Sequence, residues 1–167
     1  NPERGFVSST NQYPVDSTYP YVINAWLYES KRNRRLNRLL EADSSITVKE
    51  MMRLQLDNYN LEASENLDYF LSMLDYEKLD PKAKAIYADL SNWDYMADPE
   101  LTSQAYYHLW IVAIRDLAWD ELDIDGLSLV DPSMYRTQQL LKEQPNLKWW
   151  DIDSTSVTED ARLLINA

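Results

Sequence analysis

The 167-residue chain has no cysteine, two glycines and one histidine. Without cysteine there are no disulfides, no thiolate nucleophile and no thiolate metal ligands. The two glycines, Gly5 and Gly126, are too few for a sandwich of many short strands joined by tight turns, and they suit long helices. No apolar run approaches the roughly 20 residues that a membrane-spanning helix needs. Basic residues are scarce too, with 16 Lys and Arg against 28 Asp and Glu, giving a net charge of −12 and a pI near 4.4. A surface of that sign repels phosphate backbones and anionic bilayers, so neither nucleic acid nor a membrane is an expected partner. No Gly-rich phosphate loop is present.

What is there reads as a globular, mainly α chain. Apolar residues make up 45%, enough for a core and too many for disorder. We expect a single mostly helical domain over 1–167, with strand and loop in 1–20 and helices in 21–167. Gly5 to Ser9 is strand-like, and Pro14 and Pro20 break the loop after it. Tyr21 to Tyr28 suits a short helix. Lys31 to Glu41 predicts a second, basic on one side, with Leu36, Leu39 and Leu40 inward.

Thr47-Val48-Lys49-Glu50 is a capping box. It predicts a long helix to about Leu74, with Met52, Leu56, Tyr59, Ala63, Leu67, Phe70 and Leu74 on one face. Asp80-Pro81 opens the next helix, whose inward face is Ala83, Ile86, Leu90 and Trp93. Thr102 to Leu122 is the most apolar stretch and the candidate central helix, with Ala105, Leu109, Val112, Ala113, Leu117 and Leu122 at helical spacing. Asp131-Pro132 predicts another helix start, ended by Pro145. Ser156-x-x-Glu159 is a second capping box, before a terminal helix to Asn166. There is no internal repeat.

Few residues signal chemistry by themselves. His108 stands in the apolar helix without a second ligand or a serine partner, which suits a packing or boundary role. Ser8 and Ser9 sit in no nucleophile elbow. Tyr106, Tyr107, Trp110, Trp149 and Trp150 read as core and rim. Locally, Asn11 is most simply an asparagine that organises a turn, and Arg32 one member of a solvated basic run with Lys31, Arg34, Arg35 and Arg38.

The order of motifs says more. Asn1-Pro2-Glu3-Arg4-Gly5-Phe6-Val7-Ser8-Ser9-Thr10-Asn11-Gln12 is followed by Tyr19-Pro20 and by Arg32-x-x-Arg35-Leu36-x-x-Leu39-Leu40. Then come Leu54-Gln55-Leu56-Asp57, Leu90-Ser91-Asn92-Trp93-Asp94 and Lys148-Trp149-Trp150-Asp151-Ile152-Asp153 before Thr155. None is specific alone, but the ordered set resembles the nucleophile-bearing β chain of penicillin acylases, which are N-terminal-nucleophile amidohydrolases. The family fold is a four-layer αββα sandwich, and this stretch resembles its mostly helical insertion. The chain opens on Asn1-Pro2 without Met, which reads as excision from a longer enzyme.

The resemblance implies cleavage of an amide between an acyl chain and an amine, through an acyl-enzyme on an N-terminal Ser whose α-amino group is the base. Substrates in the family include β-lactam side chains and acyl-homoserine lactones. It implies that Asn11 is an oxyanion-hole donor, reversing the local preference, and that Arg32 orients polar groups of the site. A shift of register would put Arg35 in that role. No nucleophile is expected within the chain, so the piece alone should be inactive. The expected partners are the rest of the parent acylase (its α chain and the remainder of its β chain) and a small-molecule amide. A periplasmic or extracytoplasmic location follows from the same resemblance. Calcium, held in some members by an Asp after the Tyr-Pro pair, is not expected here: the matching stretch Tyr21-Val22-Ile23-Asn24-Ala25 offers only Asn24, and a hard cation wants six or more oxygens. No other metal or cofactor is expected. The competing class is a non-catalytic helical module that binds a partner through an aromatic-rich face.

Overall fold

The computed structural model describes residues 2–16, 18–23, 31–122, 130, 132–147, 149–150 and 160–167. Among them are seven α-helices: α1 (Lys31–Glu41), α2 (Val48–Leu54), α3 (Leu61–Met73), α4 (Pro81–Ser91), α5 (Ser103–Ala118), α6 (Met134–Glu143) and α7 (Ala161–Asn166). Two compact units form, residues 1–61 and 62–167. The mainly helical expectation is met.

The first unit begins with a turn in which Gly5 N–H donates to the Pro2 carbonyl at 3.0 Å. Gly5 takes a φ of +82°, which a side chain would resist. Residues 6–9 follow without a ladder partner among the described residues, so the expected strand at Gly5 to Ser9 is not formed. A strand exists only through its pairing, and sequence pattern cannot supply a neighbour. The helix expected over Tyr21 to Tyr28 lies mostly outside the described residues. Helix α1 has the expected bounds, although its most buried residue is Asn33 and its three leucines are only half-buried.

The capping box forms as read. Thr47 Oγ1 accepts from Glu50 N–H at 3.3 Å, and Glu50 Oε2 accepts from Thr47 N–H at 2.6 Å. The single long helix to Leu74 does not. Helix α2 closes at Leu54 through tight turn bonds, Leu56 N–H to Arg53 O at 2.9 Å and Asp57 N–H to Leu54 O at 3.3 Å. Asp57 and Asn58 favour turns over helix interiors, and the Asp57 carboxylate is drawn to α1 by Arg35 (Nε–Oδ2 2.9 Å, Nη2–Oδ1 2.8 Å). Met52 and Leu56, expected inward, are 63% and 81% exposed.

The second unit holds the apolar core. Helix α3 contributes Ala63, Leu67 and Phe70 from the stripe expected for it, and Leu71 beside them. Asp80 caps α4 (Ala83 N–H to Oδ1, 2.7 Å) with Pro81 in its first turn, and Leu90 and Trp93 are buried as expected. Helix α5 is central, packing on α4, α6 and α7. Its phase differs from the expectation: Ser103, Tyr107, Ile111, Ile114 and Ala118 face inward, while Ala105, Leu109 and Ala113 are exposed. A helix that is apolar nearly all round does not reveal its buried side by period alone.

Burial of Tyr107 depends on a polar partner. Its hydroxyl donates to Gln138 Oε1 at 2.6 Å, and Gln138 Nε2 donates to Glu62 Oε1. Burial raises the Tyr107 pKa, and the nearby Glu62 adds to the effect, so the hydroxyl stays a donor. The indoles follow the same rule, each buried N–H finding a protein acceptor: Trp93 donates to Met96 O at 2.8 Å, Trp119 to Thr137 Oγ1 at 2.9 Å and Trp150 to Gln144 O at 2.9 Å.

The cap of α6 is Ser133 (Arg136 N–H to Oγ, 3.2 Å), two residues after the Asp131 expected from sequence, and the helix ends before Pro145 as expected. Helix α7 closes the core with Ala161, Leu164 and Ile165. The Ser156-x-x-Glu159 box lies outside the described residues.

Candidate functional site

The residues singled out in the sequence meet in the first unit. Asn11 ends the extended segment with a φ of +66°, a left-handed conformation that asparagine tolerates better than most side chains. A local brace holds it there. Gln12 Oε1 accepts from Thr10 N–H at 2.7 Å, and Gln12 Nε2 donates to the Ser8 carbonyl at 3.4 Å. Arg32, in the first turn of α1, reaches across 21 residues of sequence. Its Nη2 donates to Asn11 Oδ1 at 2.8 Å and to the Thr10 carbonyl at 3.2 Å.

That contact orients the Asn11 amide. A guanidinium carries donors only, so the amide atom facing it must be the carbonyl oxygen. The Nδ2 group therefore points away from Arg32, and it makes no hydrogen bond among the described residues. The result is an exposed amide with two N–H donors, fixed through its other end by a charge. Beside it, Thr10 Oγ1 is buried and has no partner among the described residues.

Arg35 does not share this role. Its guanidinium makes the forked pair with Asp57 and lies 4.1 Å from the centre of the Tyr59 ring. The hydrogen bond that Arg35 donates to Asp57 raises the Arg35 pKa, with burial opposing it. Arg35 thus ties α1 to the turn after α2, and Arg32 is left to hold Asn11.

Sequence reasoning missed a second set of contacts. Ser8 Oγ donates to Asn37 Oδ1 at 2.6 Å, Asn37 Nδ2 donates to Asn33 Oδ1 at 3.0 Å, and Asn33 Nδ2 donates to Ser8 Oγ at 3.2 Å. The available signal was two asparagines four apart on one face of an otherwise basic helix. Ser8 is thereby engaged by amides and has no base beside it among the described residues. His108 lies in the second unit, exposed on α5. Asn24 lies outside the described residues. No group of three or more His, Cys, Asp or Glu among the described residues is placed to hold a metal ion.

The family model for penicillin amidase matches residues 1–167. The chain belongs to the penicillin amidase family. Searches of curated proteins and of solved structures found no match to it. Membership places this penicillin amidase chain among the acylase-type amidohydrolases and makes its parent enzyme a hydrolase. Amide hydrolysis by such an enzyme passes through a tetrahedral oxyanion, which needs donors fixed where the charge develops. A fixed amide with outward N–H groups is one chemical type of such a donor.

Proposed function

We propose that this chain supplies the side-chain arm of the oxyanion hole of an acylase cleaving the amide between an acyl chain and an amine, of the β-lactam or acyl-homoserine lactone class. Asn11 Nδ2 is the donor, and Arg32 sets its direction. The nucleophile and the remaining donors come from other parts of the parent acylase, its α chain and the rest of its β chain. The chain alone is therefore inactive. The observation that carries this reading is the contact between Arg32 Nη2 and Asn11 Oδ1, which turns the amide N–H groups outward.

Two further observations support it. The charge that holds Asn11 is present before substrate arrives, so the donor needs no reorganisation when the oxyanion forms. Ser8, three residues before Asn11, is engaged by Asn33 and Asn37 and has no adjacent base among the described residues to activate its hydroxyl.

The test is hydrolysis of a series of N-acyl anilides by the mature parent enzyme and by its Asn11→Ala variant. Loss of an oxyanion donor lowers turnover by about 10²–10³-fold. A variant that matures normally and loses that much kcat supports the role. Undiminished kcat, or a parent that hydrolyses no acyl length, overturns it and leaves the helical binding module.

A further inference from the structure

We propose that Ser8, Asn33 and Asn37 form a positioning ring that sets the Asn11 amide at its working distance. The proposal rests on the reading of Asn11 as an oxyanion donor. The three side chains make a closed cycle in which each donates once and accepts once, over 2.6, 3.0 and 3.2 Å. Cycles of this kind strengthen their members, because each group is polarised as a donor by the bond it accepts.

The ring lies where it controls the site. Ser8 is three residues before Asn11, and Asn33 directly follows Arg32. The segment is therefore tied to α1 at two points, at Ser8 by the ring and at Thr10 and Asn11 by Arg32. The Gln12 brace spans the two points and turns them into one rigid loop. Apolar packing offers little help. Among the described residues of the first unit, only Asn33 and Leu61 are buried, while Val7 in the segment is 81% exposed. Where the described residues bury so little apolar surface, the polar contacts named here are what tie the segment to α1.

Arg32 sets the direction of the amide, but a long, exposed side chain does not by itself set where the segment sits. Without the ring, the loop is held at one end only. A displacement of about 1 Å at a catalytic group can cost as much as 10²-fold in rate. Ser8, Asn33 and Asn37 touch no reacting atom in this arrangement, so their effect must pass through Asn11.

The experiment measures kcat and KM for N-acyl anilide hydrolysis by the mature parent enzyme carrying Ser8→Ala, Ser8→Thr, Asn11→Ala and the Ser8→Ala/Asn11→Ala pair. Ser8→Ala should lower kcat about tenfold with KM nearly unchanged, since the oxyanion exists only beyond the ground state. Ser8→Thr, which keeps the hydroxyl, should recover most of that loss. The pair should be no slower than Asn11→Ala alone, because the ring has nothing left to position. Where Ser8→Ala fails to mature, Asn37→Asp decides: it keeps the acceptor for Ser8, removes the donor to Asn33, and should lower kcat in the same non-additive way.

If Asn11→Ala collapses kcat while the ring variants are neutral, or add their full effect to it, the ring is not a positioning device and the oxyanion reading stands. If Asn11→Ala leaves kcat intact, the oxyanion reading fails and takes this proposal with it.

Discussion

Replacing Gln138 by leucine should expose how the second unit buries a tyrosine and a glutamate. Gln138 is fully buried, accepts from the Tyr107 hydroxyl at 2.6 Å and donates to Glu62. Leucine fills similar space and ends both bonds. The Tyr107 hydroxyl then lacks the acceptor described for it, at about 1–3 kcal/mol for an orphaned buried group. Glu62 loses one donor, which for an acidic partner is worth about 1.5–3 kcal/mol. The extra apolar burial returns part of this, leaving a net loss of about 3 kcal/mol. For a chain of this size that lowers the thermal midpoint by roughly 10 °C. Tyr107→Phe removes the hydroxyl that would be orphaned, so Gln138→Leu should cost about 1–2 kcal/mol less in that background. Urea unfolding followed by tryptophan fluorescence gives all four corners of the cycle. A loss below about 1 kcal/mol for Gln138→Leu, or strictly additive single changes, would refute the reasoning.

The phase of α5 predicts that Ile111→Ala costs about 2–4 kcal/mol while Leu109→Ala stays within about 0.5 kcal/mol, which paired urea titrations would show. Thr47→Ala removes the cap of α2 and should cost about 1 kcal/mol, read as faster amide hydrogen exchange in Val48–Leu54. Arg35→Lys loses the fork to Asp57 and the stack on Tyr59, so exchange should quicken in α1 and in the turn after α2, although the charge is kept. The Asp75 pKa is lowered by hydrogen bonds from Lys78 and then Arg162. Its folded pKa lies below its unfolded value of about 3.9, so its stabilisation is whole above that value and is lost as pH falls through the lower one. Stability measured between pH 5 and pH 2.5 should fall less steeply in Asp75→Asn than in the native chain.

Much of the helical framework was legible because its signals are local. The Thr47 capping box, the Asp80-Pro81 start, the bounds of α1 and the α3 stripe from Ala63 to Phe70 all follow from side chains acting within one or two turns. The expectations that failed needed partners distant in sequence. The break between α2 and α3 combines the turn preference of Asp57 and Asn58 with a pairing of Asp57 to Arg35, 22 residues away. The phase of α5 depends on Gln138 receiving Tyr107, 31 residues away. The stretch from Gly5 to Ser9 has a strand's composition, but pairing is not a property of one segment. At the candidate site, family resemblance pointed to Asn11 and Arg32, whereas their contact and the left-handed turn at Asn11 needed coordinates. Ser8, Asn33 and Asn37 carried no motif, because a ring of neutral side chains leaves only a faint i, i+4 trace in sequence.

The most direct test of the account is steady-state hydrolysis of an N-acyl anilide by the mature parent enzyme bearing Asn11→Asp. This change keeps the shape of the side chain and the oxygen that Arg32 holds, and replaces the outward N–H₂ donor with an acceptor. If Asn11 stabilises the oxyanion, kcat should fall by at least about 10²-fold with KM little altered and chain maturation intact. A mature Asn11→Asp enzyme that keeps its kcat would contradict the central claim.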